Sequence, residues 1–376
     1  MSAIVTRLGR DSSYRIAWPL IAGAIGASLL GVVLIRSADL HNPQAGPEYL
    51  KQLLYIAVGV PVMLLCARID YRMWQRFAPA IYALNLVLLL AIVVIGHRAL
   101  GAQRWISLGP LGTFQPSEFA KLFLAISGAA VLARGDYARM RDMWKPLLAF
   151  AVPALLVLKQ PDFGTSLVLL AILTTQLFFG LPRLGGFALY CAGLFVAGAV
   201  TAGTNLVLKP FQKARLLVFL NPKADPQGAG YNLNQAKIAV GNGELFGRGL
   251  FHGTQTQLSF VPEHSRDFIF TVLAEELGLL GVLGLFALYG AIIFGGIRAM
   301  YGAQDRFGLL LAAGITAMLL FHMLVNIGMT VGIMPVTGIP LPFLSYGGSA
   351  MLTNFAAVGV LMNIYAQKDR GVLGNA

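Results

Sequence analysis

Residues 260–278 read FVPEHSRDFIFTVLAEELG, and this stretch marks the point where water ends and a long apolar helix begins. Charged and titratable side chains crowd 263–267, directly before the apolar run. Glu275 and Glu276 lie further along, inside the predicted membrane segment. Each charge in such a helix costs about 2.5–3.5 kcal/mol on insertion scales. A helix that keeps several of them is expected to use some of them.

The composition of the whole chain is that of a membrane protein. Of its 376 residues, 57% are hydrophobic and 12% are charged, whereas soluble proteins carry about 25% charged residues. The net charge of +12 would suggest nucleic acid in a soluble protein, but here it indicates topology and contact with anionic lipid. We therefore expect no nucleic-acid partner. Cys66 and Cys191 lie in apolar runs, so we expect no disulfide framework and no metal cluster.

Apolar runs predict an all-α polytopic membrane protein of about ten transmembrane helices. They lie at about 16–35, 50–67, 77–96, 118–133, 146–158, 163–181, 184–208, 267–297, 307–332 and 348–366. The fifth run is short and fits a partial or kinked helix, and the eighth is long enough to tilt or to project from the bilayer. No soluble domain of useful size remains, so residues 1–376 are predicted to form a single integral membrane domain.

The distribution of Lys and Arg predicts the orientation. With the N-terminus inside, the short inner segments carry most of the basic residues, and both termini are cytoplasmic. One long extracytoplasmic loop, about 209–266, then lies between spans seven and eight. The polar loops 98–121, 159–164 and 334–349 fall on the same outer face. Four loops on one face indicate a composite site that faces outward.

The loop before the fourth span reads GAQRWISLGPLGTFQPSEFAKL and holds three candidates. Arg104 is suited to phosphate oxygens, either of a substrate or of lipid. Ser117 is predicted to cap the fourth helix, with Glu118 in its first turn. Lys121 lies three residues after Glu118, so the two side chains are expected to pair. That pair is either a neutralised helix start or part of a substrate site.

Two further groups each have two interpretations, and a third group has one. Asp162, in QPDFGTS, either caps the sixth span or acts in the site. The uncharged run GTQTQ at 253–257 is suited to hydrogen-bonding a sugar or to ordinary loop contacts. His322 and Asn326, at i and i+4 in the ninth span, are predicted to form interhelical hydrogen bonds.

Asp267 is either paired with Arg266 as a structural group or is a base with a tunable pKa. On a helix, Glu276 lies roughly opposite Asp267 and Glu275 roughly 80° round, so both glutamates are predicted to anchor other spans. His264 and Asp267 have a spacing that permits a metal pair. Because no H-E-x-x-H pattern exists, we predict no structural metal.

The last outer loop reads NIGMTVGIMPVTGIPLPFLSYGGSA from 326 to 350. Its prolines make the backbone rigid, and its glycines allow close approach of the backbone. Non-helical backbone at this depth must line a cavity or be buried in protein. The loop therefore predicts a re-entrant segment.

Together these motifs resemble the SEDS family, the shape, elongation, division and sporulation proteins that polymerise peptidoglycan. Five stretches carry the resemblance in order along nearly the whole chain: RWISLGP with FQPSEFAK, QPDFGTS, GAGYNLNQAKIAVGNGELFGRG, GTQTQLSFVPEHSRDFIFTVLAEELG and GIMPVTGIPLPFLSYGGSA. The stretch PEHSRDFIF departs mildly from the commoner P-E-x-H-T-D order. Short tails, the GTQTQ run and the length resemble the elongation member of the family more than the division member.

The resemblance implies an inverting glycosyltransferase that polymerises lipid II, a disaccharide-peptide on undecaprenyl diphosphate, at the outer face of the bacterial cytoplasmic (inner) membrane. It implies that Asp267 is the essential aspartate and the general base. The substrate-binding candidates are Arg104, Glu118, Lys121, Asp162, Glu263, His264 and Ser345.

The resemblance also implies partners, namely a class B penicillin-binding protein and other proteins of the elongation complex. It implies no certain cofactor, and a divalent cation, Mg or Mn, is left open. Two rival hypotheses stay in place. One is a lipid II flippase, and the other is a non-catalytic membrane scaffold for a penicillin-binding protein.

Overall fold

The computed structural model describes residues 17–40, 46–95, 97–99, 102–107, 109, 113–135, 137, 140–182, 184–203, 218–219, 221, 228–258, 260 and 265–367. Twelve α-helices are present in these ranges. They are α1 (Trp18–Asp39), α2 (Glu48–Arg68), α3 (Tyr71–Ile95), α4 (Pro116–Arg134), α5 (Trp144–Lys159), α6 (Phe163–Gly180), α7 (Leu184–Gly203), α8 (Ala229–Asn242), α9 (Thr254–Gln257), α10 (Ile269–Gly302), α11 (Arg306–Val331) and α12 (Gly348–Ala366).

The all-α polytopic membrane fold predicted from the sequence is confirmed. Eight helices, α1 to α4, α6 and α10 to α12, are long and apolar enough to cross a membrane. Helices α5 and α7 lie where the fifth and seventh runs predict spans. The 16 residues of α5 extend about 24 Å at 1.5 Å per residue, which is shorter than the hydrocarbon core. The count of about ten spans, the single domain and the long loop stay predictions.

A small antiparallel sheet, which the sequence does not predict, occupies the loop before α4. Its strands are β1 (His97–Ala99), β2 (Ala102–Ser107) and β3 (Thr113–Phe114), in the order β1-β2-β3. Trp105 in β2 pairs with His97 in β1. The sheet carries Arg104 on its central strand, so it gives that side chain a defined place.

Gly278 interrupts α10, a break in the eighth predicted span that the sequence does not predict. Its backbone has φ 61° and ψ −160°, a conformation that residues with a side chain avoid. The N–H groups of 248–249 donate to the carbonyls of 275–276 at 2.9 and 3.0 Å, and those of 279–280 donate to the carbonyls of 244–245 at 3.0 and 3.2 Å. The polar backbone groups released by the break are therefore satisfied inside the protein, as an apolar environment requires.

Close helix packing holds the bundle together. Helix α12 runs along α2, and α1 runs along α10. At the first contact, a Cβ on Gly359 would lie 2.3 Å from the carbonyl of Met63, so only a residue without a side chain permits this approach. Around this seam lies a continuous core that includes Phe355 and Leu361. The packing fixes the helix ends that carry the polar loops.

Candidate active site

The polar loops that the sequence predicts on one face do meet at one end of the bundle. Nε of Arg104, on β2, donates to the carbonyl of Gln160 at 3.2 Å. The N–H of Gln115, at the end of the same loop, donates to Oγ of Ser349 at 3.0 Å. The loop before α12 in turn contacts the turn before α10. Loops from distant parts of the chain therefore lie together, as a composite site requires.

Asp267 lies in a turn and not within a helix, which corrects its predicted place in the eighth span. Helix α10 begins at Ile269, with Phe268 as its N-cap. The helical spacing that sets Asp267 apart from Glu275 and Glu276 therefore does not apply. The Asp267 side chain is partly exposed, whereas both glutamates are fully buried. Among these three acids, Asp267 is the one that a substrate can reach.

Three consecutive backbone carbonyls, those of residues 265–267, are each held by a different donor. In chain order they accept from the N–H of Tyr346 at 3.0 Å, the hydroxyl of Ser345 at 2.6 Å and Nδ2 of Asn326 at 2.8 Å. Non-helical backbone is otherwise adaptable. Here the donors fix the turn that presents Asp267. Asn326 is predicted to form interhelical hydrogen bonds, but its amide instead bonds to carbonyls in this turn and in the last loop.

Ser345, a predicted substrate-binding residue, makes contacts that support the Asp267 turn. Besides donating to the carbonyl of Arg266, its hydroxyl accepts from the N–H of Leu341 at 2.8 Å. Its side chain is buried. The described contacts thus use both the donor and an acceptor site of Ser345 within the protein.

Two polar side chains on α2, neither of them predicted from the sequence, contact the Asp267 turn and the loop bonded to it. Glu48 accepts from the hydroxyl of Ser265 at 2.9 Å and lies 3.5 Å from the guanidinium of Arg266. Gln52 donates to the carbonyl of Ser345 at 3.0 Å. The available signal is two polar residues at i and i+4 in the first turns of an apolar helix, a spacing that places them on one face.

Asp162 caps α6, as one of its two interpretations predicts. Its carboxylate accepts from the N–H of Thr165 at 3.2 Å, the hydroxyl of Thr165 at 3.0 Å and the hydroxyl of Ser117 at 3.0 Å. The guanidinium of Arg104 lies 3.7 Å away. The prediction that Ser117 caps α4 is wrong. Gln115 is the N-cap, with Pro116 as the first helical residue, and Ser117 instead bonds α4 to α6.

Glu118 and Lys121 form the predicted ion pair, and both are buried in the bundle. Nζ of Lys121 lies 2.7 Å from Oε2 of Glu118 and 2.8 Å from Nε2 of His322 on α11. Nδ1 of His322 lies 2.7 Å from the carbonyl of Met318, so Nδ1 carries the proton and Nε2 accepts from the ammonium. The interhelical bond predicted for His322 is thereby confirmed. Side-chain exposures of 2% for Lys121 and 6% for Glu118 place this triad beneath the loops.

Glu275 and Glu276 anchor two different segments. The Glu275 carboxylate accepts from the N–H groups of Gln255 at 2.7 Å and Thr256 at 3.1 Å, and from the hydroxyl of Thr256 at 2.8 Å. It therefore holds α9, which corrects the prediction that it anchors another span. Glu276 accepts from the hydroxyl of Ser37 on α1, as predicted. The run at 253–257 makes the ordinary loop contacts that were one of its two interpretations.

Glu263 and His264 lie outside the described residues, so their predicted substrate contacts stay predictions. Within the described ranges, no three side chains of His, Cys, Asp or Glu are grouped so as to hold a metal ion. We therefore assign no residue as a ligand of a divalent cation, Mg or Mn.

Comparisons with known proteins agree with the family resemblance. The family model of FtsW, RodA and SpoVE, described as a cell cycle protein, matches residues 18–370. Peptidoglycan glycosyltransferase MrdB of Escherichia coli is 42% identical over 83% of this chain and 84% of its own length. Peptidoglycan glycosyltransferase RodA of Treponema pallidum is 32% identical over 93% and 97%. A probable peptidoglycan glycosyltransferase FtsW of Idiomarina loihiensis is 37% identical over 93% and 87%.

Solved structures show the same fold. A chain of a peptidoglycan synthase complex, from work on the coordination of polymerization and crosslinking, has a TM-score of 0.78 at 31% identity, over 93% of this chain and 98% of that one. The rod shape determining protein RodA of Thermus thermophilus has a TM-score of 0.70 at 28% identity, over 95% and 99%. The chain therefore belongs to the FtsW/RodA/SpoVE family.

Proposed function

We propose that this chain is a peptidoglycan glycosyltransferase that polymerises lipid II, with Asp267 as the general base. Relatives named peptidoglycan glycosyltransferases at 42% and 32% identity support the glycosyltransferase activity. One structural observation carries the role of Asp267: it is a partly exposed carboxylate on a turn that three donors hold, where the polar loops meet. A general base needs both access to substrate and a fixed position.

The chemistry requires few protein groups. The donor sugar already carries a diphosphate leaving group on its anomeric carbon. The Asp267 carboxylate takes the proton of the acceptor 4-hydroxyl as that oxygen attacks the anomeric carbon from the opposite side. The bond from carbon to diphosphate breaks, its electron pair leaves with the phosphate oxygen, and the configuration inverts. General base catalysis of this kind contributes about 10²–10⁴-fold to the rate.

The departing diphosphate calls for positive charge. Arg104 is the candidate at the rim, with a side chain 18% exposed and close to Asp162. Lys121 lies deeper, paired with Glu118 and His322. We therefore propose that its positive charge acts on the diphosphate electrostatically from beneath the site. In this proposal Asp162 orients Arg104, and Glu118 keeps Lys121 in place.

A substrate on a polyprenyl chain needs an apolar groove beside its polar site. A cavity of about 500 Å³ lies between α5, α6 and α7, lined by apolar side chains that include Phe150, Leu170 and Leu194. Phe163, which follows Asp162 directly, also lines it. The cavity therefore reaches the loop that holds Arg104, and a lipid tail seated there keeps its diphosphate near the rim.

We assign the activity to cell elongation at the outer face of the inner membrane, with both termini cytoplasmic. The resemblance to MrdB and to a rod shape determining protein supports elongation. The basic residues of the short inner segments support the orientation. The fold shared with a chain of a peptidoglycan synthase complex supports a class B penicillin-binding protein as partner, together with other elongation-complex proteins. Restoration of rod shape, but not of septation, in depleted cells is the expected complementation result.

The deciding experiment is polymerisation of purified lipid II by detergent-purified protein, alone and with its partner. Asp267→Asn keeps the volume and removes the base, so we expect glycan product to fall by at least about 100-fold. Asp70→Asn, at the opposite end of the bundle, is the matched control and keeps activity. A folded, partner-bound Asp267→Asn protein that polymerises normally would overturn the assignment.

The same preparations test the two rival functions. A lipid II flippase moves lipid II across liposome membranes and forms no polymer. A non-catalytic scaffold binds the partner, and substitutions such as Arg104→Gln then leave polymerisation unchanged. The gathering of polar loops at one end of the bundle favours the enzyme, because a carrier needs access from both sides.

A further inference from the structure

We propose that Glu48 and Gln52 are positioning residues, which hold the Asp267 turn through two neighbouring loops. The inference rests on the proposed function, in which Asp267 is the base. Neither side chain belongs to a motif of the sequence analysis. Both lie on α2, one helical turn apart, and each contacts one of two loops that are bonded to each other.

Glu48 holds the turn itself. Its Oε2 accepts from the hydroxyl of Ser265 at 2.9 Å, and its Oε1 lies 3.5 Å from Nη2 of Arg266. These are the two residues directly before Asp267. One carboxylate oxygen thus accepts a hydrogen bond from Ser265, while the other forms an ion pair with Arg266, so the two contacts together favour one arrangement of the turn. Movement of Glu48 therefore transmits to the backbone that carries Asp267.

Gln52 holds the neighbouring loop. Its Nε2 donates to the carbonyl of Ser345 at 3.0 Å, and its Oε1 accepts from the N–H of Gly347 at 3.4 Å. The Gln52 side chain is 0% exposed. A buried amide with both ends bonded to backbone is costly to disrupt, because each lost partner leaves a polar group without water. The loop position is thus set by α2.

The two loops are bonded to one another between these supports. The hydroxyl of Ser345 donates to the carbonyl of Arg266, and the N–H of Tyr346 donates to the carbonyl of Ser265. The guanidinium of Arg266 also lies over the ring of Tyr346, 5.7 Å from its centre. One face of α2 consequently sets the position of both bonded segments, the Asp267 turn and the loop before α12, which together we call the layer. Asp267 is the reactive group at the edge of this layer.

Charge at this layer is shared among three groups. Arg266 lies within electrostatic reach of Asp39, at the end of α1, as well as of Glu48. Burial, with smaller effects from Tyr55 and Glu48, raises the pKa of Tyr346, so its hydroxyl stays protonated. Removal of Glu48 takes away the nearby carboxylate of the ion pair, while the Arg266 side chain, 45% exposed, keeps contact with solvent. The expected defect is therefore one of position.

The test compares steady-state polymerisation of lipid II by five variants of the full chain with its partner bound, namely four single substitutions and the double variant Glu48→Ala/Gln52→Leu. Glu48→Ala removes both contacts, and Gln52→Leu removes both backbone bonds at similar volume. Glu48→Gln keeps an acceptor for Ser265 and loses only the ion pair. Lys51→Gln, exposed on the same helix turn, is the matched control.

We expect Glu48→Ala and Gln52→Leu to lower kcat about 10–100-fold, because a displacement near 1 Å costs on the order of 100-fold. KM for lipid II should change by less than about threefold, since Asp267 is assigned to chemistry and not to binding. Glu48→Gln should recover most of the rate, and the double variant should lose less than the product of the single effects. Lys51→Gln should match the parent.

A merely structural role predicts different results. Loss of kcat that follows the fraction of folded protein, read from thermal unfolding in the same detergent, would overturn the inference. A rise in KM alone, or unchanged kinetics, would also overturn it. If Asp267→Asn is inactive while both α2 variants are fully active, the positioning role fails and the proposed function stands. If Asp267→Asn polymerises normally, the proposed function fails first.

Discussion

The side-chain amide of Asn326 donates to the backbone carbonyl of Asp267 at 2.8 Å, and the same nitrogen donates to the carbonyl of Ile339 at 2.8 Å. One fully buried side chain on α11 thus ties the turn before α10 to the last loop. Because these two segments are not regular helices, their positions depend on such bonds. The relationship makes Asn326 a sensitive point of the site.

Asn326→Leu is expected to lower polymerisation by at least about tenfold and stability by about 1–3 kcal/mol, since two buried carbonyls lose their donor. Lipid II polymerisation and thermal unfolding of the purified protein measure the two effects. Thr330→Val is the control one turn further along α11, where the hydroxyl donates to the carbonyl of Ile327 of its own helix. Equal behaviour of the two variants would contradict the role given to Asn326.

Lys121→Met is expected to destabilise the protein by about 3–5 kcal/mol, because it leaves the buried Glu118 carboxylate without its partner. Replacing both members, in Glu118→Leu/Lys121→Met, should restore most of that loss. Recovery is incomplete because His322 Nε2 then lacks its donor. Thermal unfolding in detergent gives the comparison, and Lys145→Met, at an exposed position, should stay within about 0.5 kcal/mol of the parent. A double variant no more stable than Lys121→Met would refute a paired, buried charge.

Gly278→Ala is expected to cost about 1–3 kcal/mol in backbone strain. A further penalty follows because the new Cβ would lie 2.3 Å from the backbone nitrogen of Gly247. Gly290→Ala provides the control in the same helix, where a Cβ meets open space. That change should be neutral or stabilise by about 0.4–1 kcal/mol. Similar unfolding midpoints for the two alanine variants would argue against the break in α10.

Glu275→Ala is expected to release α9. Hydrogen bonds to a charged acceptor are worth about 1.5–3 kcal/mol each, so amide exchange at Gln255 and Thr256 should accelerate at least about tenfold. Hydrogen exchange followed by mass spectrometry measures this directly. Glu244→Gln, an exposed glutamate in the neighbouring segment, is the control. Unchanged protection of α9 in Glu275→Ala would show that other contacts hold it.

The helices could be predicted from the sequence because the property that defines a membrane span is local to the segment itself. A span must be apolar along its own length, and each predicted run overlaps a helix of the structure. The sheet before α4 and the break at Gly278 were not predicted. Both depend on partners elsewhere, since the break persists only where 244–249 supplies the missing backbone bonds.

The residues of the candidate site likewise divide into those that the sequence predicts and those that depend on distant partners. Asp267 stands out in the sequence as a charge at the start of an apolar run, and the Glu118–Lys121 pair follows from a spacing of three residues. The spacing of Glu48 and Gln52 places them on one helix face, but it does not identify their partners, which lie 217 and 293 positions away in the chain. The helical-wheel argument for Asp267 failed because the donors on other segments hold its backbone in a turn.

The sequence by itself determined that this chain is a polytopic α-helical membrane protein, which acids lie beside or within its apolar runs, and which family its motifs resemble. Hydrophobicity and short-range spacing suffice for these, since each acts within one segment. Only the tertiary structure decided that Glu275 accepts hydrogen bonds from α9 and Glu276 from α1. The same holds for the burial of Lys121 between Glu118 and His322, and for the contact of α2 with the Asp267 turn. Those outcomes depend on which distant donors and acceptors the packed helices bring within about 3 Å of one another.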